Sequence, residues 1–406
     1  MPYRRPAETG RWAAEPPAPR DRGGADELLI GVDFGTTHSS IAACVDGKLR
    51  AVHDGGEARV PTVAYVPRAG ALDIGRTALH RAVAEPQATA LGIKRLLGRP
   101  LDGPGVAALR AGSIHRLVAG PDGSALVVLR GEPWSPVQLA AAVLRHLVER
   151  ASAQLGDHVR GAVLTAPVTA PRSYHAALMR AAELAGLEVR RFVAEPVAAA
   201  IATSRGLRAG GLVMICDFGG GTFDAAVVEA RDGIRASGCD GDDLLGGDDF
   251  DVALAEGVAG AVYRRHRVDL HRDVTAWGRL RLHCEQVKRQ LSAAAEAHLL
   301  IRDAYAADGR HQDVDVWIDR PWAEGRWAAL AARAAAVARR LLDRLGLEAR
   351  DLDEVVLVGG TGRIPLVGRV LGEHLGRDVT VPADVDLGVV HGAAMVGTQL
   401  AARVAA

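Results

Sequence analysis

Lysine is almost missing from this sequence: Lys48, Lys94 and Lys288 stand against 46 arginines. A chain that uses arginine for every generic cation makes each surviving lysine a question. Lys48 sits in an Asp46-Gly47-Lys48 turn and reads as solvated. An excess of charge of either sign is also missing. The 49 basic and 49 acidic residues cancel, which leaves no bulk electrostatic case for nucleic acid or a membrane surface as partner. Cysteine is scarce and scattered. Cys44, Cys216, Cys239 and Cys284 show no CxxC spacing, so neither a zinc site nor a disulfide framework is expected. Cys44 and Cys216 lie in apolar runs and read as small buried hydrophobes. The opening MPYRRPAETGRW offers no apolar signal segment. No run reaches the length of a membrane span, and the most apolar late segment, Ala328 to Leu342, is interrupted by arginines. A reducing cytoplasm is the default location. No Walker A pattern, GxxxxGK[ST], occurs.

What is present is a chain of 406 residues, 49% apolar. That is enough for two domains or two large lobes. Residues 1–26, rich in Pro, Arg, Ala and Glu without periodicity, read as a disordered tail. A strand Leu28 to Val32 then runs into Asp33-Phe34-Gly35, followed by a strand Ser40 to Val45 and a turn at Asp46-Gly47. The same unit recurs. Leu212 to Cys216 leads into Asp217-Phe218-Gly219-Gly220-Gly221-Thr222, a strand Ala225 to Glu229 and a turn at Asp232-Gly233. This internal repeat implies two similar lobes, each opening with a hairpin. Helices are expected over Ser135 to Leu155, Ser173 to Ala185, Val197 to Thr203, Asp248 to about His266, Ala276 to Ala295 and Trp327 to Leu345. Strands are expected at Ala162 to Thr165 and Glu354 to Val358. Alternation of this kind indicates α/β architecture.

Both Asp-Phe-Gly turns suit a phosphate. Glycines and small hydroxyl residues at Gly35-Thr36-Thr37 and Gly219-Gly220-Gly221-Thr222 let main-chain N–H groups approach anionic oxygens. The carboxylates of Asp33, Asp217 and Asp224 would repel a phosphate directly. They make sense with a cation between, mostly through water, or holding a water for in-line attack. The plainer alternative for either loop alone is a hairpin with an Asx turn. His271-Arg272-Asp273 suggests a protein kinase, but there HRD precedes DFG, and here it follows both copies.

Taken in order, the segments resemble the nucleotide-binding domain of the seventy-kilodalton heat-shock chaperone family, the DnaK type. IGVDFGTTHSSIA resembles the first phosphate motif and CDFGGGTFDAAVVE the second. TALGIKRLLGR carries Lys94, and AVLTAPV with FVAEPVAAAIA carries Pro167 and Glu195. LLGGDDFD and CEQVKRQLS resemble second-lobe pieces that face the nucleotide. VVLVGGTGRIPLV resembles the adenosine motif, and DLGVVHGAA a connecting helix. The resemblance implies an actin-like ATPase fold: two lobes, 27–205 and 206–406, each a mixed β-sheet flanked by helices, with the nucleotide cleft between them. It implies ATP/ADP with Mg²⁺ and K⁺ as cofactors, and ATP plus water giving ADP and phosphate. A J-type co-chaperone, a nucleotide-exchange factor and unfolded polypeptide are the implied partners.

The resemblance also implies roles. Lys94, Glu195, Asp33, Asp217 and Asp224 become the catalytic set, with the three aspartates nearest the metal. Lys94 suits developing charge on a phosphoryl group; the bland reading is a solvated Lys94-Arg95 run. Glu195 would orient the nucleophile; the bland reading is a helix-start acid. Glu285, Lys288, Arg289 and Ser292 share one helix face and would cover adenine and ribose, with Arg289 on the base. Gly359, Gly360, Arg363 and Asp386 would close the opposite side.

Some positions depart from the family pattern. His38 stands for a usual tyrosine, Gly362 for a usual threonine, and His175 for an arginine after Thr169-Ala170-Pro171-Arg172. These bear on affinity and on coupling to a substrate domain. No counterpart of the family's apolar linker and β-rich substrate-binding domain follows in the sequence, which reads as a fragment or as an ATPase without its own peptide clamp. An actin-class filament protein, a sugar-kinase-like phosphotransferase and a non-enzymatic nucleotide sensor are the competing functions.

Overall fold

The computed structural model describes residues 28–155, 159, 161–203, 210–230, 234–307, 309–383 and 385–405. The tail expected at 1–26 and the turn at Asp232-Gly233 lie outside the described residues. Two large sheets dominate, and they are built to one plan. In the first, Leu29–Asp33 is the pivot. It pairs antiparallel with His38–Val45, which pairs with Lys48–Ala51. On its other side it pairs parallel with Gly161–Ala166, which pairs parallel with Glu188–Ala194. Val60–Pro61 completes six strands. In the second, Leu212–Phe218 is the pivot. It pairs antiparallel with Phe223–Ala230, then Ile234–Asp242, and on the other side parallel with Glu354–Val358, then Val379–Thr380. The repeat in sequence is thus a repeat in topology, and the architecture is the expected mixed α/β arrangement.

The pivot strands are apolar except at Asp33 and Asp217 because both faces are covered. Ile30, Val32, Met214, Ile215 and Cys216 are fully buried. The helix after the last strand of each sheet packs on the other sheet. Glu195–Thr203 sets Ala198, Ala199 and Ala200 against Val213, Ile215 and Val356. Gly388–Ala405 sets Val390 and Ala394 against Ala42, and Ala393 and Val396 against Val163. The two helices cross where Gly392 meets the Ala198 backbone, with no room for a Cβ. On the first sheet, Gly31 likewise admits the backbone of Ala394 and Val390.

Several expectations shift. The helix begun at Trp327 starts at Arg320, because Asp319 caps it by accepting from the Trp322 N–H at 2.7 Å and Pro321 occupies its first turn. A long hairpin, Glu296–Ala307 with Arg310–Asp319, was not anticipated. Its signal was the alternation that buries Ala297, Leu299 and Ile301. Two three-stranded sheets, over 64–90 and 117–134, were not anticipated either. Cys44 is half-buried at a strand end rather than a core residue, while Cys216 is buried as expected. In the HRD triplet, Asp273 caps the helix Val274–Ala293 by accepting from the N–H groups of Thr275 and Ala276.

Candidate functional site

Each Asp-Phe-Gly turn splits its three residues between two environments. Phe34 and Phe218 are fully buried, each in its own lobe's core. The aspartates therefore stand at the strand ends and face the space between the sheets. Phe218 also meets Phe223 edge-on at 4.9 Å and Phe250 at 5.6 Å, which anchors the second turn in an aromatic stack.

The two turns interlock. A Cβ on Gly220 would fall on the Thr37 side chain, and one on Gly221 would fall on Thr36. Thr37 Oγ1 donates to Asp248 Oδ1 at 3.1 Å, and Thr361 Oγ1 donates to the Gly219 carbonyl at 2.8 Å. Arg95, next to Lys94, donates to the Gly221 carbonyl at 2.9 Å and to Asp249 at 2.6 Å. The Lys94-Arg95 run is therefore not a solvated patch. Lys94 is 5% exposed, and Arg95 bridges the cleft.

Between the turns lies a cavity of about 440 Å³. Asp33, Lys94, Glu195 and Asp217 line its floor, together with Gly35, Thr36, Thr37, Gly219, Gly220 and Thr222. Two expected residues do not line it. Gly221 lies behind Thr36, and Asp224 is 1% exposed and accepts from the Val168 N–H at 2.9 Å. Lys94 Nζ lies 2.5 Å from Glu195 Oε1. Asp33 accepts from Thr165 Oγ1 at 2.9 Å.

The ladder sets up the electrostatics. Asp217 is paired directly with Asp224 across the second hairpin, whereas Asp33 faces Ser40 across the first. Like charges in opposed ladder positions repel. Burial, with Asp33 and Asp224 adding, pushes Asp217 up to about 7. Burial pushes Asp224 up to about 6 against the pull of Lys94. Burial also raises Asp33, and it raises Glu195 well above the usual carboxylate range. For Lys94, burial works to lower the pKa, but Glu195, Tyr174 and Asp33 outweigh it, so the ammonium is held charged.

The residues fit a cation bound through water. Asp224 Oδ2 is buried without a hydrogen-bond partner, and Asp217 is a buried acid, pushed up by burial, Asp33 and Asp224, that a positive charge would stabilise. Among the described residues no three His, Cys, Asp or Glu side chains converge to ligate a metal directly. That suits Mg²⁺, which keeps several waters and takes phosphate oxygens.

The cavity extends beyond the two turns. Glu285, Lys288, Arg289 and Ser292 line one wall, and Gly359, Gly360, Arg363 and Asp386 the other. Lys288 also has a structural task, pairing with Asp251 at 2.8 Å and donating to the Gly247 carbonyl at 2.9 Å. Gly359 has φ +84°, and a Cβ there would lie 2.6 Å from Asp217 Oδ1. Only glycine lets this turn rest on the strand end at Asp217 and Phe218. Gly362 is similarly confined, since a Cβ would come 2.8 Å from Leu357. His38 lines the cavity as a neutral ring, lowered to about 3 by burial and by Arg59, Arg289 and Lys288. His175 lies at the other departure, edge-on to Phe192 at 5.0 Å, with Nδ1 3.1 Å from the Pro171 carbonyl.

Sequence reasoning missed Arg59. It comes from the first lobe's loop and bonds Asp386 Oδ1 at 2.7 Å, while Arg363 takes Asp386 Oδ2 at 2.6 Å. No motif surrounds Arg59, and only the fold brings it to the cleft. Thr361 and Ser40 also line the cavity; both fall within the quoted motifs but were not singled out.

Two sheets of one topology, joined by crossed helices and closing on a glycine-rich clasp, define the class of two-lobed nucleotide-cleft proteins. A family model described as Hsp70 protein matches residues 29–405, and the chain belongs to the Hsp70 family. It is 32% identical over 375 residues to the mitochondrial 70 kDa heat shock protein of Solanum tuberosum, covering 92% of this chain and 55% of that protein. It is 33% identical over 371 residues to the chaperone protein DnaK of Thermus thermophilus, covering 90% and 60% respectively. It is 33% identical over 373 residues to DnaK of Deinococcus radiodurans, covering 90% and 58%. The chain therefore spans between 55% and 60% of the length of these relatives. The family assignment sets aside the filament and sugar-kinase readings.

Proposed function

We propose that this chain binds ATP and hydrolyses it to ADP and phosphate, as the ATPase part of a heat-shock-type chaperone. The observation that carries the reading is the buried Lys94–Glu195 pair on the floor of the cavity, beneath two interlocked hairpin turns. The phosphates lie against Gly35-Thr36-Thr37 and against Gly219, Gly220 and Thr222. Lys94 meets the γ-phosphoryl group, and Glu195 orients the attacking water. Asp33 and Asp217, with Asp224 paired behind Asp217, would hold Mg²⁺ through water, and the ion, helped by K⁺, would neutralise phosphate charge there. Arg289 and Arg363 enclose the adenine, with Glu285, Lys288, Ser292, Gly359, Gly360 and Asp386 around the nucleoside.

The lobes are residues 27–205 and 206–406, and their closure is the output. Unfolded polypeptide, a J-type co-chaperone and a nucleotide-exchange factor are the partners, in a cytoplasmic stress response. Among the described residues, no helix is long and apolar enough to cross a membrane. Single-turnover hydrolysis of Mg²⁺-ATP tests the reading. Lys94→Ala is expected to lower the rate by a factor on the order of 100. A folded Lys94→Ala protein that hydrolyses ATP at the parent rate would refute the assignment. Added J-type co-chaperone and unfolded peptide are expected to speed turnover.

A further inference from the structure

The Lys94–Glu195 pair has to open before Lys94 can serve a phosphate. Lys94 Nζ is bonded to Glu195 Oε1, and both residues are 5% exposed. Once the ammonium turns to a phosphate oxygen, Glu195 loses its counterion at a place where Asp33, Asp224 and Asp217 also bear on it. A buried carboxylate without a partner is strongly unfavourable. Some donor has to replace Lys94.

Tyr174 holds that donor unspent. It is 5% exposed, and its hydroxyl has no hydrogen-bond partner among the described residues. The other buried side-chain atoms in that condition are two carboxylate oxygens, on Asp224 and Asp251, and the indole nitrogen of Trp134 on the strand Glu132–Trp134. Tyr174 lies in the first turn of the helix Arg172–Leu184. The turn that carries Lys94 packs against it. Gly98 has φ +66°, and a Cβ there would come 2.6 Å from the Tyr174 nitrogen. Ile93 and Leu97, flanking Lys94, share a buried cluster with Tyr174. Burial pushes the phenol up, Lys94 pulls it down, and Glu195, Asp33 and Asp224 push it up again. The group stays a neutral O–H at physiological pH.

We propose that Tyr174 is a positioning residue for Glu195, its hydroxyl donating to the carboxylate when Lys94 moves to the bound phosphate. The proposal rests on the nucleotide reading above. The proton remains on Tyr174 throughout. In the reaction, the γ-phosphorus bond to the bridging oxygen breaks, water oxygen bonds to that phosphorus, and the water proton leaves with the products. Tyr174 thereby keeps Glu195 an oriented anion without taking part in bond exchange.

The test is calorimetric binding of adenosine and of Mg²⁺-ATP to the parent, Tyr174→Phe, Glu195→Gln and the double variant. Tyr174→Phe is expected to weaken Mg²⁺-ATP by about tenfold, the scale of a hydrogen bond to a charged group. Adenosine does not reach Lys94, so its affinity should stay within about twofold. In the Glu195→Gln background no carboxylate is stranded, and Tyr174→Phe should cost nothing further. Tyr174→Gln, which keeps a side-chain donor, should recover Mg²⁺-ATP affinity and serves if the Phe variant does not fold. Equal losses for adenosine and ATP, equal losses in both Glu195 backgrounds, or no loss at all would each overturn the proposal. A parent that binds neither ligand sinks the nucleotide reading and this inference with it. A parent that binds both, with Tyr174→Phe unchanged, sinks the inference alone.

Discussion

The two Asp-Phe-Gly hairpins occupy the same place in two sheets of the same strand order, yet they are finished differently. The first carries side chains: Thr36, Thr37 and His38, with Ser40 opposite Asp33. The second carries bare backbone at Gly219-Gly220-Gly221, with Asp224 opposite Asp217. The threonines of one fill the space that the glycines of the other leave. Two identical hairpins could not do this. Two threonine turns would collide, and two glycine turns would leave a gap without hydroxyls. The charges diverge in the same sense. One hairpin presents a single carboxylate beside a hydroxyl. The other presents an opposed, buried pair that calls for a cation.

The largest effect is expected from making the first hairpin resemble the second. Ser40 is 3% exposed, and Ser40→Asp would place a second buried carboxylate against Asp33. The nucleotide-free protein should lose about 3–5 kcal/mol at pH 8 and much less at pH 5, measured by urea unfolding. An equal loss at both pH values would mean that sterics rather than charge separates the hairpins.

Next comes the interlock. Gly221→Val should cost about 1–3 kcal/mol through overpacking against Thr36. Gly219→Ala, whose nearest neighbour would be 3.6 Å away, should leave the fold within about 1 kcal/mol of the parent. Thermal unfolding of the two variants without nucleotide compares them. If both are equally mild, the turns do not interlock in solution.

The acid pair gives a pH signature. Asp217 is raised to about 7 and Asp224 to about 6. The stability they contribute is fully present below the unfolded carboxylate range, near pH 4, and is lost as pH rises through 6 to 7. Lys94 is also raised, but its contribution does not change across that window. Asp217→Asn should therefore stabilise the nucleotide-free protein at pH 8 by on the order of 2 kcal/mol, with little change at pH 4. Mg²⁺-ADP should flatten the same slope in the parent. A parent and an Asp217→Asn variant with parallel stability curves from pH 4 to 8 would sink the claim.

The smallest effect belongs to a single contact. Thr37→Val removes the bond to Asp248 and should cost about 1 kcal/mol. Because this bond joins the two lobes, nucleotide off-rate should respond more than stability. A double-mutant cycle with Asp248→Ala checks the pairing.

Much of this site was legible before any coordinates. The repeated strand-turn-strand unit foretold two equivalent sheets, since an internal repeat with one turn chemistry folds twice the same way. The spacing Glu285, Lys288, Arg289 and Ser292 foretold one cavity wall, because α-helical periodicity fixes which residues share a face. The rarity of lysine singled out Lys94, which the structure buries against Glu195. The hairpin Glu296–Ala307 with Arg310–Asp319 was legible in principle from its alternation, but no turn signal as strong as the Asp-Phe-Gly units marked it.

Other features existed only in three dimensions. Arg59 meets Asp386 across much of the chain, and nothing local marks either as the other's partner. The exchange of helices, each packing on the opposite sheet, depends on Gly392 passing Ala198. Asp217 facing Asp224 is a matter of strand register, and the unpaired Tyr174 hydroxyl a matter of which turn packs on which. Sequence by itself determined the local units: the turns, the helix faces and the residue types able to handle phosphate. Tertiary structure decided which of those units touch. Long-range pairing is set by packing the whole chain at once, and no short window of residues encodes it.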